Sequence, residues 1–292
     1  MNAISRITLT SLCAGAALST ACAFSQTDDF QRPPKVLVLQ REYMKPGKAG
    51  SLHEKSESAF VRAMAAAKWP VHYVAMESWT GANRALFMTG YDSFAAWEKD
   101  NMDQSKNAIL SAAMDNAWAA DSQLVNSTDQ GAFAFRDDIS QPAAVEIASE
   151  RFFDISMYKV KQGHEKEWVE LNKIYQDGYK KAAPEVSWAT YQSIYGADNG
   201  GMYLIIQPMK SASEVDKVFS DNKKFEAAIG PAGMKRLAEL TAACVESMQE
   251  NLFHFNPKMS YVSDRFKAID PEFWKPKAMA APKPAADVAA KP

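Results

Sequence analysis

The chain has few of the features that identify an enzyme, a membrane protein or a nucleic-acid-binding protein. Its formal net charge is -2 over 292 residues, and lysines and arginines alternate with acids, which argues against a nucleic-acid or anionic-membrane partner. No segment has the roughly 20 consecutive apolar residues that a spanning helix needs. A Gly-rich phosphate loop, a nucleophile elbow and a paired acidic motif of metal-ligand spacing are also missing. The sequence therefore predicts no transmembrane segment, no metal site and no recognisable catalytic motif.

Cysteine is scarce, and two of the three cysteines lie near the N-terminus. An apolar and small-residue stretch over 7–18 precedes a small-x-small cleavage site that ends at Ala23. Residues 1–23 are therefore predicted to be a signal peptide, and the mature protein is expected in the periplasm or outside the cell. A cut before Cys22, which would leave a lipid anchor, is the less favoured alternative. Cleavage leaves Cys244 alone, so no intrachain disulfide is expected and a buried thiol is predicted.

An internal repeat organises the rest of the chain. Leu-His-Glu-Lys at 52–55 is matched by Gly-His-Glu-Lys at 163–166, and Phe-Ala-Phe at 133–135 by Phe-His-Phe at 253–255. The offset grows from 111 to 120 residues between these matches, which is the length of a small domain. The predicted organisation is a linker at 24–34, a first unit at 35–140, a linker at 141–150, a second unit at 151–262 and a flexible Pro/Ala/Lys-rich tail at 263–292.

Each unit is predicted to run strand, helix, strand, strand, helix, strand. In the second unit, apolar residues recur at helical spacing after Gly163, and a Gly- and Asn-rich joint at 196–201 indicates a hairpin. Helical patterns are expected over 92–125 and over 211–248, the latter interrupted near 230–233. The order is that of the ferredoxin-like βαββαβ unit, in which two helices cover one face of an antiparallel sheet. The predicted class is α+β, with the uncovered sheet faces packed together.

The entry into the first helix of the second unit carries a family resemblance. Lys161-Gln162-Gly163 leads into a Glu- and Lys-rich amphipathic helix that bears Trp168. This pattern resembles the dimeric α+β barrel superfamily, in particular its NIPSNAP-like and antibiotic-biosynthesis-monooxygenase-like groups, over about 36–260. The resemblance implies an α+β barrel formed within one chain as a pseudo-dimer. The superfamily includes cofactor-free monooxygenases, haem enzymes and members without known activity, so the resemblance implies a fold rather than a reaction.

The four histidines are the first candidates for a polar site. His53 and His164 begin the first helix of each unit, and their charged neighbours predict a solvated helix turn. His72 and His254 have no counterpart in the other unit and are better candidates for a pocket. A satisfied core or surface histidine is the alternative for each. No cofactor is predicted, and haem is the alternative that the resemblance implies.

Aromatic residues on or beside the predicted strands could line an apolar pocket. The candidate pocket residues are His72, His254, Trp79, Tyr158, Trp188, Tyr191 and Tyr195. Core filling is the competing interpretation of the aromatic members. The sequence thus predicts an exported protein that binds a small apolar or aromatic molecule in a cleft between a sheet and its helices. The alternatives are a cofactor-free or haem-dependent monooxygenase-like enzyme and a purely structural barrel.

Overall fold

A computed structural model describes residues 32–141, 145–196 and 201–275. The predicted signal segment, the hairpin tip at 197–200 and the last part of the predicted tail, 276–292, lie outside the described residues. Among the described residues, no helix has both the length and the apolar character needed to cross a membrane.

The two halves of the chain have the same order of strands. The first half contains β1 (Val36–Met44), α1 (Ser51–Ala66), β2 (Tyr73–Ser78), β3 (Arg84–Tyr91), α2 (Phe94–Lys106), α3 (Ala108–Asp121) and β4 (Val125–Phe135). The second contains β5 (Phe152–Val160), α4 (Glu165–Ala182), β6 (Ala189–Tyr195), β7 (Met202–Met209), α5 (Glu214–Cys244) and β8 (Val245–Phe255). Two short helices follow, α6 (Asp264–Ile269) and α7 (Pro271–Trp274).

The eight strands close into one antiparallel barrel. β1 pairs with β3 and β4, and β2 pairs with β3, while β5, β7, β8 and β6 repeat this pattern in the second half. The pairs β2 with β8 and β4 with β6 join the halves, so the neighbour order is β1-β3-β2-β8-β5-β7-β6-β4. The predicted α+β class and single-chain barrel are confirmed at this level.

Strand alternation separates the barrel interior from the helix-covered outside. Leu37 and Leu39 of β1 join the interior core, whereas Val36 and Val38 pack outward toward Trp97 of α2. All eight strands contribute buried apolar residues to the interior. A second core lies outside the barrel, where α4 and α5 cover the strands of the second half.

Two strands start earlier than the sequence indicates. The helix expected to reach residue 125 ends at Asp121, and the helix expected to reach 248 ends at Cys244. β4 and β8 begin directly afterwards and pair with β1 and β5 along their full length. Their first halves are mostly exposed and polar, so they carry no apolar alternation from which a strand could be recognised. The predicted interruption near 230–233 coincides with a break in α5, where Gly230 has φ 68°.

The expectation of a flexible tail from residue 263 is wrong for residues 263–275. α6 and α7 lie against the interior core, and Phe266 and Trp274 are almost completely buried. Trp274 donates its indole N–H to the Ala148 carbonyl at 2.6 Å. Two large aromatic residues bury enough apolar area to order a short segment despite its Lys- and Pro-containing surroundings.

Candidate functional site

In each half, helices pack on the outer face of the strands. Met44 pairs with Val125 in the first half, and Val160 pairs with Val245 in the second, so β1 and β5 occupy equivalent positions. Glu42 and Tyr158, two residues earlier on these strands, are therefore equivalent. They lie in two sites of opposite character.

The first site is a buried group of one imidazole and three carboxylates, called here the His53 cluster: Glu42, His53, Glu57 and Asp121. His53 Nε2 lies 3.1 Å from Glu42 Oε2 and 3.6 Å from both Glu57 Oε1 and Asp121 Oδ1. One candidate ligand atom from each residue lies within 4.8 Å of all the others. β1, α1 and the end of α3 thus bring four ionisable side chains to one point.

The His53 cluster is sealed from solvent. The exposed fractions are 1% for Glu42 and His53, 3% for Glu57 and 0% for Asp121. Glu57 Oε1 and His53 Nδ1 have no hydrogen-bond partner among the described residues. The Ser56 hydroxyl lies near Asp121, but neither carboxylate oxygen of Asp121 forms a hydrogen bond of normal geometry. Buried acceptors without donors are costly, so this arrangement calls for a proton or a cation.

Electrostatics in the His53 cluster disfavour three negative charges. Burial raises the pKa of Glu57 well above its usual range, and the charges of Glu42 and Asp121 add to the rise. Burial also raises the pKa of Asp121, against the opposing effects of Ser56 and His53. Gln40 donates to Glu42 at 2.6 Å, and the Phe87 ring packs beside the imidazole.

The expectation that His53 occupies a solvated helix turn is wrong. His53 and Glu57 lie on the face of α1 that also buries Phe60 and Met64, so both polar residues occupy core positions of an amphipathic helix. The spacing 53, 57, 60, 64 is that of one helix face, and it could have indicated from the sequence that His53 and Glu57 are buried with Phe60 and Met64. His164 is partly exposed and lies 3.6 Å from Glu167, closer to the expected environment. The prediction of no metal site rested on sequence spacing, which does not detect ligands brought together from α1, β1 and α3.

The second site is an aromatic cavity between α4 and the strands of the second half, called here the Tyr158 cavity. Its volume is about 130 Å³. Five aromatic rings line it, from Tyr158, Trp168, Tyr175, Tyr179 and Trp188, with Asn172 and Gln207 as amides and Leu171, Val186 and Ile205 as aliphatic residues. The cavity is thus mostly apolar with a few polar groups, as small-molecule sites commonly are.

Hydrogen-bond donors are present in the wall of the Tyr158 cavity. The buried Trp168 indole N–H has no partner among the described residues. Burial raises the pKa of Tyr158, Tyr175 and Tyr179, so all three phenols stay protonated at neutral pH and keep a donor.

A carboxyl group with an unusual pKa lies beside the same cavity. Asp154 is on the same face of β5 as Tyr158 and pairs with Gln207 of β7. Tyr158 and Gln207 line the cavity. Burial raises the pKa of Asp154 to about 7, and Glu250 contributes by its charge and by a hydrogen bond. Such a group can accept a proton near neutral pH.

The structure brings only part of the predicted pocket set together. Tyr158 and Trp188 line the Tyr158 cavity, and Trp188 and Tyr191 line a second apolar cavity of about 80 Å³ that also contacts Leu37 and Met88 of the barrel core. Trp79 and Tyr195 are 58% and 65% exposed on the surface. A ligand role for these residues stays a prediction.

The two histidines of the predicted set lie away from the Tyr158 cavity. His72 packs against the ring of Tyr261 at 4.9 Å between centroids. His254 is partly exposed, 4.0 Å from the Glu77 carboxylate and beside Trp79. Sequence reasoning missed Trp168, Asn172 and Gln207, because helix α4 and strand β7 meet only in the folded chain.

Comparison with known proteins finds only distant structural similarities. No protein-family model matches the chain, and no curated protein matches it in sequence. A provisionally assigned monooxygenase from Fusobacterium nucleatum is 11% identical with a TM-score of 0.49, covering 76% of this chain and 93% of its own. An anthrone oxidase-like protein gives the same identity and TM-score over 76% and 91%. A chlorite dismutase variant from Candidatus Nitrospira defluvii, in complex with cyanide, is 8% identical with a TM-score of 0.45 over 78% and 93%.

Similarities this distant carry no argument about activity. The fold follows from the closed barrel of this chain, in which all eight strands come from one polypeptide and the helices of each half lie outside. The protein therefore has the architecture of an α+β barrel formed within a single chain.

Proposed function

We propose that the protein binds a small aromatic molecule with an oxygen acceptor in the Tyr158 cavity. One observation carries this proposal: five aromatic rings surround a cavity, and the buried indole N–H of Trp168, one of the lining residues, has no partner among the described residues. Aromatic rings favour a flat apolar ligand by stacking and edge contacts. An unpaired donor favours a ligand that can accept a hydrogen bond, because its burial without one is costly.

A cofactor-free monooxygenase-like enzyme is the second candidate function, and Asp154 is the observation that favours it. A carboxyl group with a pKa of about 7 is suited to accept a phenolic proton at physiological pH. In this role Asp154 is the base, Trp168 donates to the oxygen of the substrate, and the aromatic wall excludes water. His72 and His254, the groups that the sequence suggested for this role, lie elsewhere in the fold.

Haem is the cofactor alternative, and the residues of the Tyr158 cavity do not fit it. No histidine lines this cavity, and the Nε2 of His53 faces three carboxylates. Haem iron is most often held by an axial histidine or cysteine. Absorbance of the protein purified from its own host tests this point, since a Soret band would overturn the assignment.

Binding can be tested with 1-naphthol as the probe and naphthalene as its counterpart without a hydroxyl. Trp168 and Trp188 in the wall should report binding by a saturable change in fluorescence. Trp168→Phe keeps an aromatic ring but removes the N–H, so we expect naphthol to bind roughly 5- to 10-fold more weakly while naphthalene is unaffected. Trp97→Phe, in α2 of the other half, is the matched control and should leave both affinities unchanged.

Two outcomes would overturn the binding proposal: no saturable binding of either probe, or equal loss of naphthol affinity in both Phe variants. Oxygen consumption with 1-naphthol then separates binding from catalysis. If Asp154 is a base, Asp154→Asn should abolish oxygen uptake while the naphthol affinity changes little.

Export is proposed on the N-terminal sequence alone. The mass of the mature protein from a periplasmic fraction would distinguish cleavage after Ala23 from lipid attachment at Cys22. We also propose that the halves are two copies of one ferredoxin-like unit, supported by their identical strand order and pairing. Separately expressed halves should then associate into the same barrel, and failure to associate on mixing would count against this.

A further inference from the structure

We infer that the His53 cluster is a metal centre that binds one divalent first-row transition ion. Its ligands are the imidazole Nε2 of His53 and carboxylate oxygens of Glu42, Glu57 and Asp121. The inference concerns the first half of the chain and is independent of the aromatic cavity in the second.

The spacing of the ligand atoms suits a single ion. Zinc and similar ions bind imidazole nitrogen and carboxylate oxygen at about 2.0 to 2.2 Å, which places neighbouring ligand atoms about 3 to 3.5 Å apart. His53 Nε2 lies 3.1 to 3.6 Å from an oxygen of each of the three carboxylates. The four ligand atoms all lie within 4.8 Å of one another, close to the separations that a single ion requires.

The charge of the His53 cluster is better balanced with an ion than without. Three carboxylates confined within 4.8 Å of one another in a sealed interior repel strongly. Protonated His53 can neutralise only one of them. A dication bound to the three carboxylates and a neutral imidazole leaves one net negative charge. One proton kept on a carboxylate neutralises that charge. Glu57 Oε1 is buried, has no donor among the described residues and lies 3.6 Å from His53 Nε2, so it is placed to share a cation with the imidazole.

The donor set selects the class of metal. Carboxylate oxygens suit Mn²⁺, Mg²⁺ and Ca²⁺, whereas imidazole favours Fe²⁺, Zn²⁺ and their neighbours. One nitrogen with three oxygens and no sulfur therefore favours Mn²⁺, Fe²⁺ or Zn²⁺ over Mg²⁺, Ca²⁺ and Cu⁺. His53 and Glu57 are one helical turn apart on α1, which holds both on one face before an ion arrives.

Comparison of the halves shows that a metal centre is not required by the fold. Tyr158 occupies the position equivalent to Glu42, and its ring packs on Trp168 of α4 at 5.0 Å. The second half therefore has aromatic rings in the corresponding region, where the first half has ionisable groups. Since such packing is available to this fold, four buried ionisable groups in the first half are a departure that a bound ion explains.

The test is metal content after refolding, because a sealed site is loaded most readily while the chain folds. The full mature chain is unfolded in a denaturant that contains EDTA, and the EDTA is then removed by desalting. The chain is refolded in the presence of ZnCl₂, MnCl₂ or MgCl₂. Bound metal is measured by mass spectrometry after gel filtration. We expect one equivalent of Zn²⁺ or Mn²⁺, little Mg²⁺, and a higher thermal midpoint for the loaded protein. Co²⁺ should give d–d absorption bands of a site with nitrogen and oxygen ligands.

Glu57→Gln and Asp121→Asn remove one ligand charge each and should lower the metal affinity at least 10- to 100-fold. Asp100→Asn is the matched control, because Asp100 is a buried carboxylate whose oxygens already accept from Trp69 and Tyr91 at 2.8 Å. This variant should keep one equivalent. Wild-type protein that refolds without bound metal would overturn the inference and identify a proton-sharing network instead. Equal metal content in wild type and Glu57→Gln would overturn it as well.

Discussion

Replacing Trp274 with alanine tests whether the C-terminal helices are part of the barrel core. The side chain is 1% exposed and packs edge-on against the rings of Phe255, Phe266 and Phe273 at centroid distances of 4.8 to 5.8 Å. It also donates to the Ala148 carbonyl at 2.6 Å. Loss of a buried Trp side chain costs about 3 to 5 kcal/mol, a range that includes its aromatic contacts. We therefore expect Trp274→Ala to lower the free energy of unfolding by about 4 kcal/mol.

Trp274→Phe separates the contribution of the ring contacts from that of the hydrogen bond to the Ala148 carbonyl. Phenylalanine keeps most of the ring contacts but leaves the buried Ala148 carbonyl without its donor, so we expect a loss of about 1 to 2 kcal/mol. Urea unfolding, monitored by far-UV circular dichroism, measures the free energy of unfolding of both variants. We expect the slope of this free energy against urea concentration to be unchanged. Phe219→Ala, at a site 71% exposed, is the control and should stay within about 0.5 kcal/mol of wild type.

A loss of no more than about 0.5 kcal/mol in both Trp274 variants would contradict burial of this side chain. Residues 263–275 would then not be docked, and that end of the barrel would be open to solvent. The result matters for function, because it decides whether these helices cover that end of the barrel interior.

Two further perturbations concern the second half. The raised pKa of Asp154, about 7, means that its ionised form is disfavoured in the fold, so stability falls as pH rises through the interval between its unfolded value and about 7. Asp154→Asn should therefore be more stable than wild type by about 1 to 2 kcal/mol at pH 8, after a reduction for partial exposure, and equal to it at pH 4. A difference that does not change between these pH values would contradict the assignment. A Cβ at Gly178 would lie 2.3 Å from a ring carbon of Phe225, so Gly178→Ala should lower the thermal midpoint by overpacking α4 against α5. A rise in the midpoint would mean that the better helix propensity of alanine decides instead.

Local signals predicted the elements best where one face of each is buried. The apolar run at the start of β1 and the apolar stripe of α4 can be recognised in the sequence because these residues are buried against the core or the covering helices. The starts of β4 and β8 were not legible, since their exposed polar residues are held in the sheet by pairing with β1 and β5 alone. Pairing through backbone hydrogen bonds does not require apolar side chains at alternate positions, so the sequence pattern does not reveal these strand segments.

The candidate sites show the same division. Tyr158 and Trp188 are candidates from the sequence, because aromatic residues beside strands commonly line pockets, and both line the Tyr158 cavity. The His53 cluster was not identified, since Glu42 and Asp121 are separated from His53 by 11 and 68 residues and meet it only across α1, β1 and α3.

The sequence by itself determined the order of strands and helices, the two similar halves and the α+β class, because these follow from local periodicity and composition. Only the tertiary structure decided that Trp274 is core rather than tail, that His53 is buried rather than solvated, and that equivalent spaces hold carboxylates in one half and aromatic rings in the other. The physical reason is that burial and electrostatics depend on which residues meet across the barrel, and those partners are distant along the chain.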